Sequence, residues 1–437
     1  GIGLDINLYI DASGNIRKED WDEPADIVDK IYYLRYGKFG DPLYVRAGAL
    51  DNITLGYGLI MESYSNAMEY PQIRRVGAHF QIKRGPFGFE GLIANIREID
   101  NPGLLAGRVT YSPFRFLKAG INYVIDGNQY AGLKDRDGDY IPDLLDDFPD
   151  NERYAVDSDG DDVPDQIDPD IDGDGYTDNS QRPDAIDNDP DGIYPRKADP
   201  FSIRDKREVA QAFGVDVGVP IMNWRFIDVL TYAQWAKIAK YGMGLTFPGL
   251  RIQVGPVKFN TEYRYFTKEF LAGYFNQVYD IQRVRLIEDP LNPKTLIPQT
   301  KSEYMLEPIR ESMSGIFAGA DINVMDIVSV YGAFQDMKSG DVVDRSLYAT
   351  ATLNPVFIPK ITTATAFYQQ TNVEDVFDFN VKTESTILGY KIGYAVAPRV
   401  TLLVTYRETY KDKNGDGKIE GSEETIITAG VETIFSF

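Results

Sequence analysis

The chain has 437 residues, a formal net charge of −22 at pH 7 and no cysteine. Without cysteine it can hold neither disulfides nor a thiolate metal site, and no basic patch points to nucleic acid. Its mean hydropathy is −0.31, and no run of about 18 apolar residues argues for a transmembrane helix. Membrane-spanning strands are not excluded, because their alternating residues give a weak hydropathy signal.

Alternation of apolar and polar residues with a period of two recurs along most of the chain outside residues 135–199. This period is typical of β-strands that have one apolar and one polar face. The clearest examples are residues 75–83, 117–125 and 388–396. The sequence therefore predicts an all-β chain.

We predict 18 strands, or 16 if the poorly marked hairpin at 224–247 does not form. The predicted strands span 3–10, 28–36, 43–50, 74–84, 86–97, 103–111, 116–125, 208–218, 224–233, 240–247, 250–266, 313–322, 326–336, 346–353, 360–370, 384–396, 400–410 and 425–437. Short turns alternate with long loops at 11–27, 51–73, 126–207, 267–312, 371–383 and 411–424. This asymmetry is expected of outer-membrane barrels, which have short periplasmic turns and long outer loops.

The last strand, 427–437, alternates up to Phe437 and resembles the C-terminal signature of bacterial outer-membrane β-barrels. The polar strand faces carry single charges beside Gly and Thr, which a water-filled lumen permits and a dry core does not. The resemblance implies a transmembrane, antiparallel, up-and-down β-barrel in the lipid of the bacterial outer membrane. Residues 1–134 and 200–437 would form this barrel. A soluble sandwich or propeller is the alternative fold.

Residues 135–199 carry most of the negative charge, with 22 Asp and one Glu against five basic residues. Three units share the pattern Asp-x-Asp-Gly-Asp-x-x-x-Asp, and a fourth is degenerate, with Pro190 in place of the glycine. Carboxylates two residues apart on a tight turn can converge on one calcium ion, which takes six to eight oxygens. The alternative is a solvated acidic linker. The predicted ligands are Asp135, Asp137, Asp139, Asp143, Asp146, Asp157, Asp159, Asp161, Asp165, Asp168, Asp170, Asp172, Asp174 and Asp178.

These units resemble thrombospondin type 3 repeats, without the cysteines that many of those repeats contain. The resemblance covers residues 135–199 only. It implies that the first three units bind Ca²⁺ and wrap around it with little apolar core. We expect this insert to lie on an extracellular loop of the barrel.

A second calcium-binding segment is predicted between the last two strands, at residues 412–423. It resembles an EF-hand loop, with Gly417 at position 6. The matching ligands are Asp412, Asn414, Asp416, the backbone carbonyl of Lys418, Glu420 and Glu423. Because strands and not helices flank this loop, we expect a static clamp.

The chain has a single histidine, His79, and no serine-nucleophile, P-loop or dinucleotide-binding motif, so we expect no catalytic residues and no enzyme. Residues 51–73 lack strand alternation and form either a constriction inside the lumen or an ordinary outer loop. The sequence favours a porin-like channel for small polar solutes with calcium-stiffened outer loops. The alternative is a structural, anchoring or adhesion barrel whose insert binds a surface or cell-envelope partner.

Overall fold

The computed structural model describes residues 2–4, 31–68, 75–96, 103–171, 173, 197–289, 292–324, 327–353, 358–397, 400–411 and 418–435. This part of the chain is mostly antiparallel β-structure, as the sequence predicted. Its helices are short, and none of them has the length and apolar character needed to cross a membrane.

Eighteen of the described strands belong to one sheet. The strands are β1 (Ile2–Leu4), β2 (Ile31–Tyr36), β3 (Leu43–Gly48), β4 (Met61–Glu62), β5 (Gly77–Arg84), β6 (Phe87–Ile93), β7 (Leu104–Phe114), β8 (Leu117–Asp126), β9 (Ala210–Trp224), β10 (Ile227–Ile238), β11 (Met243–Val254), β12 (Val257–Phe266), β13 (Phe275–Asn276), β14 (Val284–Asp289), β15 (Asn292–Thr300), β16 (Met313–Val324), β17 (Val328–Ser339), β18 (Val342–Leu353), β19 (Ile361–Val373), β20 (Ile387–Ala397), β21 (Val400–Tyr410) and β22 (Thr425–Phe435).

Strands of the large sheet pair antiparallel with their neighbours in chain order. Ladders run from β1 to β8 without β4, and from β9 to β22 without β13, β14 and β15. Side chains link β8 to β9, where the Asn122 amide donates to Asp216 over 3.0 Å. Strand β1 also pairs with β22 through Leu4 and Phe435, so the first and last strands of the sheet meet.

Short connections alternate with long ones along most of the sheet, as predicted. Residues 239–242 and 340–341 are two exceptions, since each is a short connection at a position where this alternation requires a long loop. Two-residue turns join β5 to β6 and β11 to β12. Gly85 and Gly255 have φ values of +60° and +54° in these turns, a conformation that glycine adopts without steric cost.

The predicted boundary between strands 240–247 and 250–266 is wrong. The structure has β11 running through this point to Val254, and the turn follows at Gly255 and Pro256. Pro248 is of a residue type that often marks a strand end, because proline removes a ladder hydrogen bond. Instead it lies where the pairing register of β11 and β12 shifts between Thr246 and Gly249, and such irregularities tolerate proline.

The chain divides into two compact units. Unit 1 comprises Gly1–Asp126, Gln211–Asp280 and Met305–Phe437, and unit 2 comprises Gly127–Ala210 and Ile281–Tyr304. Unit 2 therefore joins the acidic insert to a hairpin of β14 and β15, in a region where the sequence predicts a long loop. Its second strand, NPKTLIPQT, contains two prolines, which hide a strand from sequence patterns.

The large sheet exposes apolar side chains and buries polar ones. In β9, Phe213, Val215 and Val217 are exposed, whereas Asp216 between them is only 5 % exposed. The predicted alternation is confirmed in the same sense in β5, β8 and β20. Exposed apolar members of these strands are Ile82, Ile121, Tyr123, Tyr390, Ile392, Tyr394 and Val396. Buried polar members are His79, Gln81 and Asn122. We call the buried side of this sheet its inner face.

Candidate functional site

Unit 1 contains a cavity of about 1060 Å³. It is bounded by residues of β11, β12 and β16 to β22 on one side and by residues 51–68 on the other. Its lining is rich in Thr, Tyr, Ser, Asn and Gln, and its charged residues are four acidic and four basic. The charged lining residues are Asp51, Glu62, Glu262, Asp321, Arg251, Lys258, Lys391 and Arg407. A polar, charge-balanced wall of this kind can be wetted by water and polar solutes.

Residues 49–68, which we call the inner segment, pack against the inner face. Leu50, Leu55, Met61 and Tyr64 of this segment are at most 2 % exposed. Strand β4 of the inner segment pairs in parallel with β13, which gives its backbone groups partners away from the sheet. Of the two alternatives for 51–73, the structure supports interior placement for residues 51–68. Residues 69–73 lie outside the described residues.

The inner segment reaches the sheet at a buried polar network. Arg108 of β7 forms a two-pronged ion pair with Asp216 of β9, and Asn122 of β8 bonds to both partners. These side chains are almost fully buried. Charge-assisted, bidentate pairs of this kind are stable in a buried setting only when all members are bonded. Gly56 of the inner segment lies directly against the network.

A second buried network lies on β10, β12 and β17. Arg264 donates to Glu262 over 2.6 Å and to the Gln335 side chain over 2.6 Å. Tyr232 donates its hydroxyl to the same Glu262, and the Arg264 guanidinium lies 3.8 Å from the centre of the Phe317 ring. Sequence reasoning did not single out these residues, because cross-strand partners depend on the pairing register.

His79 lies on the inner face. Its Nε2 is 2.9 Å from Glu90 Oε1, and its ring stacks on Phe39 at 5.5 Å. Tyr44 approaches the same ring edge-on. The geometry is that of a packed hydrogen-bonding residue.

Two of the three predicted aspartate units are fully described, and each brings three carboxylates together. Within Asp135, Asp137 and Asp139, one oxygen of each residue lies within 4.8 Å of the others, and Asp157, Asp159 and Asp161 repeat this arrangement. The loops match in detail, since the backbone N–H of the glycine donates to the first aspartate in both. These N–H···O distances are 2.8 Å at Gly138 and 2.6 Å at Gly160.

A further aspartate approaches each cluster. Burial raises the pKa of Asp146 to about 6, and the carboxylates of Asp139 and Asp137 add to the rise. One oxygen each of Asp137, Asp146 and Asp168 is buried with no hydrogen-bond partner among the described residues. Buried carboxylate oxygens without donors are costly. A hard divalent cation is the partner that suits this donor set.

Asp143 and Asp165 lie outside the three-carboxylate clusters. They accept from the backbone N–H groups of Arg136 and Ser158, each over 2.8 Å. They thereby close the two loops. Asp170 is described and accepts from Gly173 N–H through its backbone carbonyl. Asp172, Asp174 and Asp178 lie outside the described residues.

The predicted EF-hand-like loop is described only in its second half. Asp412, Asn414 and Asp416 fall outside the described residues. Lys418, Glu420 and Glu423 are described. The Glu420 N–H donates over 2.7 Å to the carboxylate of Glu424, the residue after Glu423. Glu424 is buried and Glu423 is exposed.

No family model and no curated protein matches the chain. Solved structures resemble it weakly. The ferric enterobactin receptor PfeA of Pseudomonas aeruginosa has 10 % identity and a TM-score of 0.31, over 90 % of this chain and 59 % of the receptor. OpdK of P. aeruginosa, solved with vanillate, has 8 % identity and a TM-score of 0.34, over 92 % and 90 %. A Rhodopseudomonas blastica porin mutant has 10 % identity and a TM-score of 0.26, over 83 % and 91 %. The chain thus spans less than two thirds of the receptor's length.

The buried Arg108–Asp216 pair allows a direct test. Arg108→Met should destabilise the protein by about 3–5 kcal/mol, because it leaves the Asp216 carboxylate buried without a counter-charge. The double variant Arg108→Met/Asp216→Leu should recover a large part of this loss. Urea unfolding followed by tryptophan fluorescence measures both changes in stability. Equal destabilisation in the single and double variants would contradict this account of the pair.

Proposed function

We propose that the chain is a porin-like channel of the bacterial outer membrane that passes small polar solutes. In this proposal the 18-stranded sheet closes into a transmembrane barrel whose apolar face contacts lipid. The observation that carries it is the inverted sheet, which exposes Phe213, Val215 and Val217 and buries Asp216. A soluble protein rarely exposes a contiguous apolar surface of this extent, whereas a lipid-facing strand requires one.

Aromatic residues at one end of the sheet support the membrane assignment. Strongly exposed aromatic side chains lie near the short turns, on strands β2, β6, β7 and β9 and in the β7–β8 and β9–β10 turns. These residues are Tyr36, Phe87, Phe114, Phe116, Trp224 and Phe226. Aromatic girdles mark the interfaces between membrane and water in barrels of this class. By this reasoning the short turns are at one membrane interface.

The cavity of about 1060 Å³ supports transport over simple anchoring. Eighteen strands provide enough circumference for an aqueous interior, whereas about eight strands suffice for an anchor. The inner segment fills part of the interior, and the cavity is the polar space that it leaves. The solutes are therefore small and polar in this proposal.

For the insert, we propose that residues 135–199 bind Ca²⁺ and stiffen an extracellular loop. The clusters beginning at Asp135 and Asp157 would each hold one ion, with Asp146 and Asp168 as additional ligands. Support comes from their converging carboxylates and from the unpartnered buried oxygens. Bound Ca²⁺ would neutralise carboxylates that otherwise repel one another. The EF-hand-like loop at 412–423 is proposed as a further calcium site from its sequence.

Contact between lipid and the exposed apolar face of the sheet predicts that a charged side chain on this face destabilises the protein in the bilayer. Val217→Arg, in the middle of β9, should cost about 2–4 kcal/mol of stability in the bilayer. Leu144→Arg is the matched control, because Leu144 is 75 % exposed in unit 2, and should cost less than about 0.5 kcal/mol. Folding titrations in vesicles compare the two variants. Equal stability would count against lipid contact at β9.

Channel function predicts stepwise ion conductance when the purified protein is added to planar bilayers. The conductance steps should persist in EDTA, because the strands that line the cavity form their hydrogen-bonded ladders with one another and not with the insert. Closed barrels both in calcium and in EDTA would instead support the anchoring alternative.

Calcium binding predicts a selective effect of single carboxylates. Asp139→Asn should weaken one Ca²⁺ site by roughly tenfold or more, because ligand charge sets the affinity of such loops. Asp150→Asn removes the same charge from an exposed residue whose ion-pair partner among the described residues is Arg136, and it should leave the affinity unchanged. Isothermal titration of the full chain gives the affinities and site numbers. An equal loss in both variants would point to a diffuse acidic surface.

A further inference from the structure

The tip of the inner segment has an unusual local structure. It reads Leu55-Gly-Tyr-Gly-Leu59, and its glycines, Gly56 and Gly58, have φ values of +68° and +99°. Residues that carry a side chain rarely adopt this left-handed backbone conformation, so the tip depends on glycine. The chain therefore turns tightly at this point, with Tyr57 between the two glycines.

The first glycine fits against the buried network of Arg108, Asn122 and Asp216. A Cβ atom at Gly56 would lie 2.6 Å from Arg108 Nη1 and 2.9 Å from Asp216 Oδ2. Both distances are shorter than any normal contact, so no larger residue fits without displacing the tip or the ion pair. The network is neutral overall and internally bonded, which makes it a firm surface for the tip.

Tyr57 fixes the other side of the tip. Its ring stacks on Tyr232 with centroids 4.1 Å apart and planes 13° apart, and the Arg251 guanidinium lies 5.3 Å from its ring centre. Its hydroxyl is packed against Gly218 of β9. Stacked aromatic rings and a cation over a ring each add attraction beyond the area they bury.

Beyond the tip, the backbone of the inner segment is also bonded to its surroundings. The Leu59 N–H donates to the Gln234 side chain of β10 over 3.3 Å, and the Leu59 carbonyl accepts from Gly273 N–H over 3.0 Å. Gly56, Tyr57 and Glu62 belong to the wall of the cavity. The position of the tip thus determines the position of this part of the cavity wall.

We propose that Gly56 and Tyr57 are positioning residues for transport, which lock the inner segment onto the Arg108–Asn122–Asp216 network and so fix the width of the pathway. This proposal rests on the proposed channel function. The inner segment is then a fixed wall and not a moving gate. Displacement of the inner segment towards the cavity narrows the pathway. Weaker attachment of the segment makes the width of the pathway fluctuate.

Two variants test the lock, each with a matched control. Gly56→Val adds a branched side chain at the network, and Gly255→Val adds the same strain in a turn where a Cβ meets nothing within 4 Å. Tyr57→Ala removes the stacked ring without adding bulk, and Tyr263→Ala removes an exposed tyrosine of β12. We expect lower unit conductance for Gly56→Val, noisier open-channel current for Tyr57→Ala, and wild-type currents for both controls.

A second measurement does not need conduction. Since the chain has no cysteine, Leu59→Cys introduces a single thiol at a site that is 2 % exposed. Its labelling by a water-soluble maleimide should be slow alone, and roughly tenfold faster when combined with Gly56→Val or Tyr57→Ala. The Gly255→Val and Tyr263→Ala backgrounds should leave the rate unchanged.

The two measurements separate failure of the lock from failure of the channel. Equal labelling of the Leu59→Cys thiol in all backgrounds would overturn the lock, whatever the currents show. Absence of conductance even in the wild-type protein would overturn the channel function, while the labelling rates would still decide whether the tip is locked.

Discussion

The structure depends on one constraint, the inversion of its large sheet, in which charged groups are buried and apolar side chains are exposed. Burial of charge is tolerated in the two networks because their ions are bonded, as Arg108 is to Asp216 and Arg264 is to Glu262. Exposure of apolar side chains on this scale fits the proposal that the surrounding medium is lipid. The polar interior, the cavity and the bonded inner segment all follow from the same inversion.

The acidic insert follows a different principle. It belongs with the β14–β15 hairpin to unit 2, and few apolar side chains among its described residues are buried. Its described loops are shaped by backbone N–H groups donating to aspartates, in two copies that match residue for residue from Asp135 and from Asp157. Those bonds leave several carboxylate oxygens directed at one another, which is unfavourable without a cation. Order in this unit is therefore proposed to depend on Ca²⁺, whereas order in the sheet depends on pairing and on its surroundings.

Much of this could be predicted from the sequence, because it is local. The period of two gave the strands and their faces, and the Asp-x-Asp-Gly-Asp spacing identified the two clusters that the structure describes. Features that depend on long-range contacts were missed. The predicted strand boundary between residues 247 and 250 is wrong because β11 continues through Pro248 at a register shift, which depends on the partner strand. The hairpin of β14 and β15, and the partners of Gly56 and Tyr57, are likewise fixed only by tertiary contacts.

The central claim, that the apolar face of the sheet contacts lipid and the polar face contacts water, can be measured directly on this cysteine-free chain. Spin labels attached at Val217→Cys and at Thr365→Cys, which lines the cavity, would be compared in vesicles by their collisions with oxygen and with a water-soluble nickel complex. The account predicts that the label at 217 collides mainly with oxygen and the label at 365 with nickel. Strong collision of the label at 217 with nickel would contradict it.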